Sequence, residues 1–137
     1  MGGPIPRRTS IVLSPGLFLI VSLCGGVGAC LRFVLDALIK LWLPSSLPWG
    51  TILINISGSF ALGLLTGLFA GGLLPEPWLV AAGTGLLGGY TTFSTASFET
   101  IRLLQAGQLA ASLVNAAGTL LATVLATLLG FQVALLF

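Results

Sequence analysis

The sequence predicts an all-α membrane protein of four transmembrane helices, the third of them broken, assembled as an antiparallel, dual-topology homodimer. Three observations lead there: charge is nearly absent, four long apolar stretches are separated by turn residues, and glycines and threonines cluster in the middle of the third stretch. Of 137 residues, 56% are apolar and 6% are charged, with a mean hydropathy of +1.13. A soluble domain carries about 25% charged residues to keep its surface wet. A chain this short has no aqueous core large enough to bury so much apolar surface. Lipid is therefore the expected solvent, and a multi-pass protein of the cell membrane the expected form.

Residues 1–15 read as a polar N-terminal extension holding Arg7, Arg8 and three prolines, and residues 16–137 as the membrane domain. The apolar stretch after Pro15 is too long for the h-region of a signal peptide and contains Arg32 and Asp36, so it reads as a retained first span. A hydrocarbon core of about 30 Å needs about 20 apolar helical residues. Gly16 to Leu41, Thr51 to Leu74, Trp78 to Leu104 and Leu109 to Phe137 each satisfy this. The breaks at residues 43–48, 74–77 and 105–108 carry Pro, Ser, Gly and Gln, which is turn chemistry. Trp42, Trp49 and Trp78 all fall at span ends, where an amphipathic ring prefers the headgroup zone.

Small residues recur through the spans, as in Gly25-Gly26-Val27-Gly28-Ala29 and in Gly58, Gly63 and Gly67. In lipid, helices associate by close backbone approach, so most of these glycines read as packing residues. Gly88-Gly89-Tyr90-Thr91-Thr92 differs, because glycines, β-branched residues and hydroxyls meet near the middle of a span. That mixture predicts a helix interrupted at membrane depth, which is tolerated where protein or a water-lined cavity surrounds the freed backbone. With four spans, Arg7 and Arg8 stand on one side and Lys40 and Arg102 on the other, with Arg32 unassigned. The positive-inside bias is almost nil, so both orientations can insert, and opposed copies can pair about a two-fold axis in the membrane plane.

The formal charge of +2 is too small and scattered for a nucleic-acid footprint. Cys24 and Cys30 lie on different helix faces, and the chain has no histidine, which argues against zinc and leaves them as small packing residues. Arg32 with Asp36, and Glu99 with Arg102, have spacings that predict intrahelical ion pairs near a membrane edge. Thr51 and Asn55 share one face of the second span. On the fourth, Asn115, Thr119 and Thr123 form a single polar stripe with Ser112 one turn before it. Interhelical hydrogen bonding and a permeation track are both open readings. Such a track offers hydroxyl and amide donors without full charges, which suits a small anion better than a cation.

Three segments carry a family resemblance. Cys24-Gly25-Gly26-Val27-Gly28-Ala29-Cys30-Leu31-Arg32 resembles the GG-x-GA-x-x-R opening of the Fluc/CrcB fluoride channels. Gly50-Thr51 followed by Asn55, Gly58, Ser59 and Phe60 resembles their GT-x-x-x-N-x-x-G-S-F helix. Gly85-Leu86-Leu87-Gly88-Gly89-Tyr90-Thr91-Thr92-Phe93-Ser94-Thr95 resembles their G-x-x-GG-x-TTFST break. The resemblance implies a dual-topology dimer with two antiparallel fluoride pores and a central sodium ion held by backbone carbonyls, which by motif position look like Gly88 and Thr91. It implies Asn55 as the pore asparagine, Phe93 as the first pore phenylalanine, and a polar track of Thr95, Thr119 and Thr123. The family often has a second phenylalanine where this chain has Ala96, and Phe98 lies about 140° round the helix from Phe93.

The expected function is thus passive release of fluoride from the cytoplasm, without catalysis. Fluoride holds its water tightly, so a selective pore replaces that shell with amide hydrogens, hydroxyls and the electropositive edge of an aromatic ring. The rival reading is a small four-helix proton-coupled multidrug-type exporter using Glu99 as its carboxylate.

Overall fold

The computed structural model describes residues 14–137, and every regular element among them is helical. The expected extension, with Arg7 and Arg8, lies outside the described residues up to position 13. Helix α1 spans Pro15–Trp42. It starts where the Ser14 hydroxyl accepts from the Leu17 N–H at 3.2 Å, with Pro15 in the first turn, where its missing N–H costs nothing. Helix α2 spans Trp49–Ala70 and ends in a turn at Gly72, whose φ of 74° suits a residue without a side chain.

The third expected span is two helices. Helix α3 covers residues 76–90 and is π-wound over Leu79–Leu87. Helix α4 spans Phe93–Gln105. Between them Thr91 and Thr92 are extended, with ψ of 159° and 123°. Helix α5 spans Leu109–Ala134, with a π-wound stretch at Val114–Gly118. Helices α1, α2 and α5 are each long and apolar enough to cross a bilayer by themselves. The expected interruption is present at the expected place, and the protein is a multi-pass membrane protein.

Two close crossings hold the helices together, and each depends on glycine. Where α1 meets α3, a Cβ on Gly28 would collide with the Leu86 carbonyl, and one on Gly89 with the Gly25 carbonyl. Where α2 meets α5, a Cβ on Gly63 would collide with the Thr127 carbonyl, and one on Gly130 with the Phe60 carbonyl. Lipid tails are as apolar as leucine, so burial supplies little drive between helices and close van der Waals contact must supply it. The opposite helix faces are correspondingly greasy. Gly28 is the one residue of α1 that is buried, while Phe18, Leu23, Phe33 and Leu41 are exposed where acyl chains would lie.

Gly63→Ala is expected to lower stability by at least about 1–3 kcal/mol, the usual cost of overpacking, because the obstacle is backbone that cannot rotate away. Gly26, which has no neighbour for a Cβ within 4 Å, is the matched control. Thermal midpoints of the purified variants in detergent report the difference. A Gly63→Ala midpoint equal to that of Gly26→Ala would contradict this packing.

Candidate ion pathway

Breaking a helix in lipid frees backbone groups, and each needs a partner. The Thr92 N–H donates to Asn55 Oδ1 at 2.8 Å, and Asn55 Nδ2 donates to the Thr92 carbonyl at 2.9 Å. One carboxamide on α2 thus satisfies both backbone groups of one extended residue. The Thr92 hydroxyl accepts from the Thr95 N–H at 3.2 Å, serving as N-cap for α4, and donates to the Thr95 hydroxyl at 3.0 Å. Above the break, the Tyr90 and Ser57 hydroxyls are 3.0 Å apart, and Gly58 leaves room for the Thr91 methyl.

These bonds redirect two helical donors. In an unbroken helix the Thr92 N–H would close on the Gly88 carbonyl and the Thr95 N–H on the Thr91 carbonyl. Asn55 takes the first and the Thr92 hydroxyl takes the second. The two carbonyls expected to hold a cation are therefore ones whose helical donors point elsewhere.

Two cavities border the break, and another lies apart from it. A groove of about 520 Å³ is lined by Asn55, Gly88, Thr91, Thr92, Phe93, Ala96, Thr100, Asn115, Thr119 and Thr123, with apolar neighbours and no charged side chain among the described residues. A second cavity of about 240 Å³ is lined by Arg32, Phe33, Asp36, Thr51, Ile54, Thr92 and Thr95. The third, about 530 Å³, lies between the α1–α2 connection and the end of α4 and takes in Lys40, Glu99 and Arg102. Thr92 borders the first two, so the Asn55 clamp sits at their boundary.

Of the six expected pathway residues, the structure brings Asn55, Phe93, Thr119 and Thr123 to the groove, while Thr51 and Thr95 line the smaller cavity. One of the two Asn55 Nδ2 hydrogens goes to the Thr92 carbonyl, which leaves a single amide hydrogen for the pathway. Phe93 is 86% exposed at the groove's edge. Ala96 lies beside it, and Phe98 turns away to meet the Arg102 guanidinium 5.9 Å from its ring centre, as helix geometry predicted.

The expected ion pairs are corrected. Asp36 pairs with Lys40, one turn further along, rather than with Arg32, and this is the one salt bridge among the described residues. Glu99 and Arg102 form none; Arg102 instead stacks over Phe98, as an arginine beside an aromatic face commonly does.

Two site residues escaped selection from the sequence. Thr92 carries the break, and its signal was a hydroxyl standing three residues before Thr95 at the start of a new helical run, which is an N-cap pattern. Asn115 was visible as part of the α5 stripe, yet nothing in the sequence showed that it is 1% exposed and bonded across to α4.

Asn55→Leu removes both clamp bonds and leaves the Thr92 N–H and carbonyl unpartnered, so a loss of about 1–3 kcal/mol per orphaned group is expected. Asn55→Asp keeps an acceptor for the N–H but sets an anionic oxygen against the carbonyl, and should lie between Asn55→Leu and wild type. Thermal midpoints in detergent give the order. Wild-type stability in Asn55→Leu would show that the amide does not hold the break.

Residues 19–131 match the family model described as CrcB-like protein, Camphor Resistance. A protein of Leifsonia xyli subsp. xyli named fluoride-specific ion channel FluC 1 is 48% identical over 77% of each chain. One of Magnetococcus marinus, named fluoride-specific ion channel FluC, is 43% identical over 82% of this chain and 93% of its own. Another of that name, from Thermus thermophilus, is 38% identical over 84% of this chain and 92% of its own. Matched by the family model over residues 19–131 and by relatives of 38–48% identity over most of its length, the chain belongs to the CrcB-like family.

Proposed function

We propose that the chain is a fluoride-selective channel that works as an antiparallel homodimer and lets fluoride leave the cytoplasm. The observation that carries this reading is the groove beside the break, which sets threonine hydroxyls and two asparagine amides among mostly apolar side chains, with no charged side chain among the described residues. Full positive charges would trap an anion, and carboxylates would exclude it. Hydroxyls and ring edges replace its water without holding it. A ring such as Phe93 presents an electropositive edge, and the path, once enclosed by a second copy, would exclude larger halides by width. The membrane potential contributes about 2.3 kcal/mol per charge per 100 mV, which favours anion exit from a negative interior. The names of the relatives support the same ion.

A second copy follows from what one copy leaves open. The groove is open on the side where Phe93 stands exposed, and the Gly88 and Thr91 carbonyls beside it have lost their helical donors, which is costly for groups left facing lipid. Covering that face with an inverted copy encloses the path and brings together two sets of Gly88 and Thr91 carbonyls, which would hold a structural sodium ion. Sodium there would neutralise carbonyl dipoles that the break sets free. The exporter reading has less support: Glu99 lines the third cavity rather than the groove, and the relatives' names describe channels.

The test is fluoride efflux from liposomes holding the purified protein, with chloride as control. Fluoride release without chloride release is expected, and Phe93→Ala should slow it up to about tenfold, the worth of one aromatic contact of about 1.4 kcal/mol. Chloride release at the fluoride rate would overturn the reading.

Gly88→Val gives a separate check on assembly. A Cβ at Gly88 meets nothing within 4 Å in one copy. The variant should therefore keep its helical content yet lose the dimer in size-exclusion chromatography, whereas Thr91→Ser should retain it. A stable Gly88→Val dimer with wild-type flux would remove both the interface and the carbonyl site from this face.

A further inference from the structure

The hydroxyl side chains of this protein mostly spend their hydrogen on their own helix. Ser22, Thr66, Thr91, Ser97, Thr100 and Thr127 each donate to the carbonyl four residues earlier, and Thr123 donates to Leu120. Thr119 does not. It follows directly on the π-wound turn Val114–Gly118, is 7% exposed, lines the groove, and its Oγ1 has no partner among the described residues.

One turn earlier, Asn115 is 1% exposed. Its Nδ2 donates to the Ala96 carbonyl at 3.1 Å and to the Thr100 hydroxyl at 2.8 Å. Both partners are acceptors here, since the Thr100 hydrogen itself goes to the Ala96 carbonyl. The amide therefore cannot turn over without setting Oδ1 against a carbonyl oxygen. Oδ1 is left buried and without a partner. Residues spaced i, i+4 share a helix face, and both residues line the groove, so a buried acceptor and a buried hydroxyl, neither with a partner among the described residues, lie on the same side of α5.

We infer that Asn115 and Thr119 form a binding station for one water molecule, which presents its outward hydrogen to the anion in the groove. The chemistry selects the ligand. A bare anion is repelled by the negative end of the fixed amide dipole, whereas a small neutral donor satisfies Oδ1 with one hydrogen and accepts from Thr119 with its oxygen. Its remaining hydrogen then points away from both. The station lies close to Ala96, whose methyl leaves space on the same wall. The water extends the donor lining there without adding charge. Buried waters of this kind typically hold two to four polar partners. This inference rests on the fluoride reading for its effect on transport, but not for the existence of the water site.

Two measurements test it. A crystal structure of the wild-type protein that resolves ordered solvent should show a water within about 3.2 Å of both Asn115 Oδ1 and Thr119 Oγ1. A side chain of a second copy bonded to Oδ1, or no solvent peak there while other groove waters are seen, would overturn the proposal. In liposomes, Thr119→Val keeps shape and removes the hydroxyl, and should slow fluoride about tenfold or more with an unchanged thermal midpoint, while Thr119→Ser should restore the rate. Wild-type flux in Thr119→Val would also overturn the proposed water's role. If wild-type protein carries no fluoride, the channel reading falls while an observed water leaves the station standing.

Discussion

Interrupting a helix inside a hydrocarbon layer is costly unless every exposed N–H and carbonyl finds a partner, and in this protein one asparagine meets most of that need. Asn55 bonds both backbone groups of Thr92, so the geometry of the break is set from a neighbouring helix rather than by the broken segment alone. The rest follows from that bond. The Thr92 hydroxyl is left in place to cap α4, the Gly88 and Thr91 carbonyls lose their helical donors, and the groove and the smaller cavity meet at the same residue. Moving Asn55 along α2 by one position would turn its amide about 100° away and undo all three.

That registration requires α2 and the broken span to sit at fixed height and close range. The glycine crossings provide it. Gly63 and Gly130 lock α2 against α5, Gly28 and Gly89 lock α1 against α3, and Gly58 admits Thr91 and Tyr90 against α2 itself. Backbone packed on backbone has no side-chain freedom to lose or to give, so the polar residues are held by a stiff frame. Asn115 and Ser112 then tie α5 to α4 by hydrogen bonds to Thr100 and Ala96, closing the frame on its polar side.

Much of this was legible in the residues. Span positions followed from hydropathy and turn chemistry, and the break from glycines and threonines meeting in mid-span, because those signals are local and the bilayer enforces them strongly. Partner choice was less legible. Asp36 has Arg32 and Lys40 at the same spacing on opposite sides, and periodicity cannot say which cation turns toward it. The face of Asn55 was readable, but not that both ends of its amide are committed, since that depends on a residue 37 positions away. Asn115 looked like any member of a polar stripe until its burial and its cross-helix bonds were known.

The order in which the chain is made gives the Asn55 clamp a further meaning. Segments are synthesised N-terminal first, so α2 leaves the ribosome before residues 91 and 92 do. The group that will satisfy the interrupted backbone is therefore already waiting when the interruption arrives. Were the asparagine on α5, the third span would have to rest in lipid with an open N–H and carbonyl until synthesis ended. Placing the clamp upstream shortens the interval in which a half-made protein exposes groups that quality-control proteases and wrong neighbours can seize.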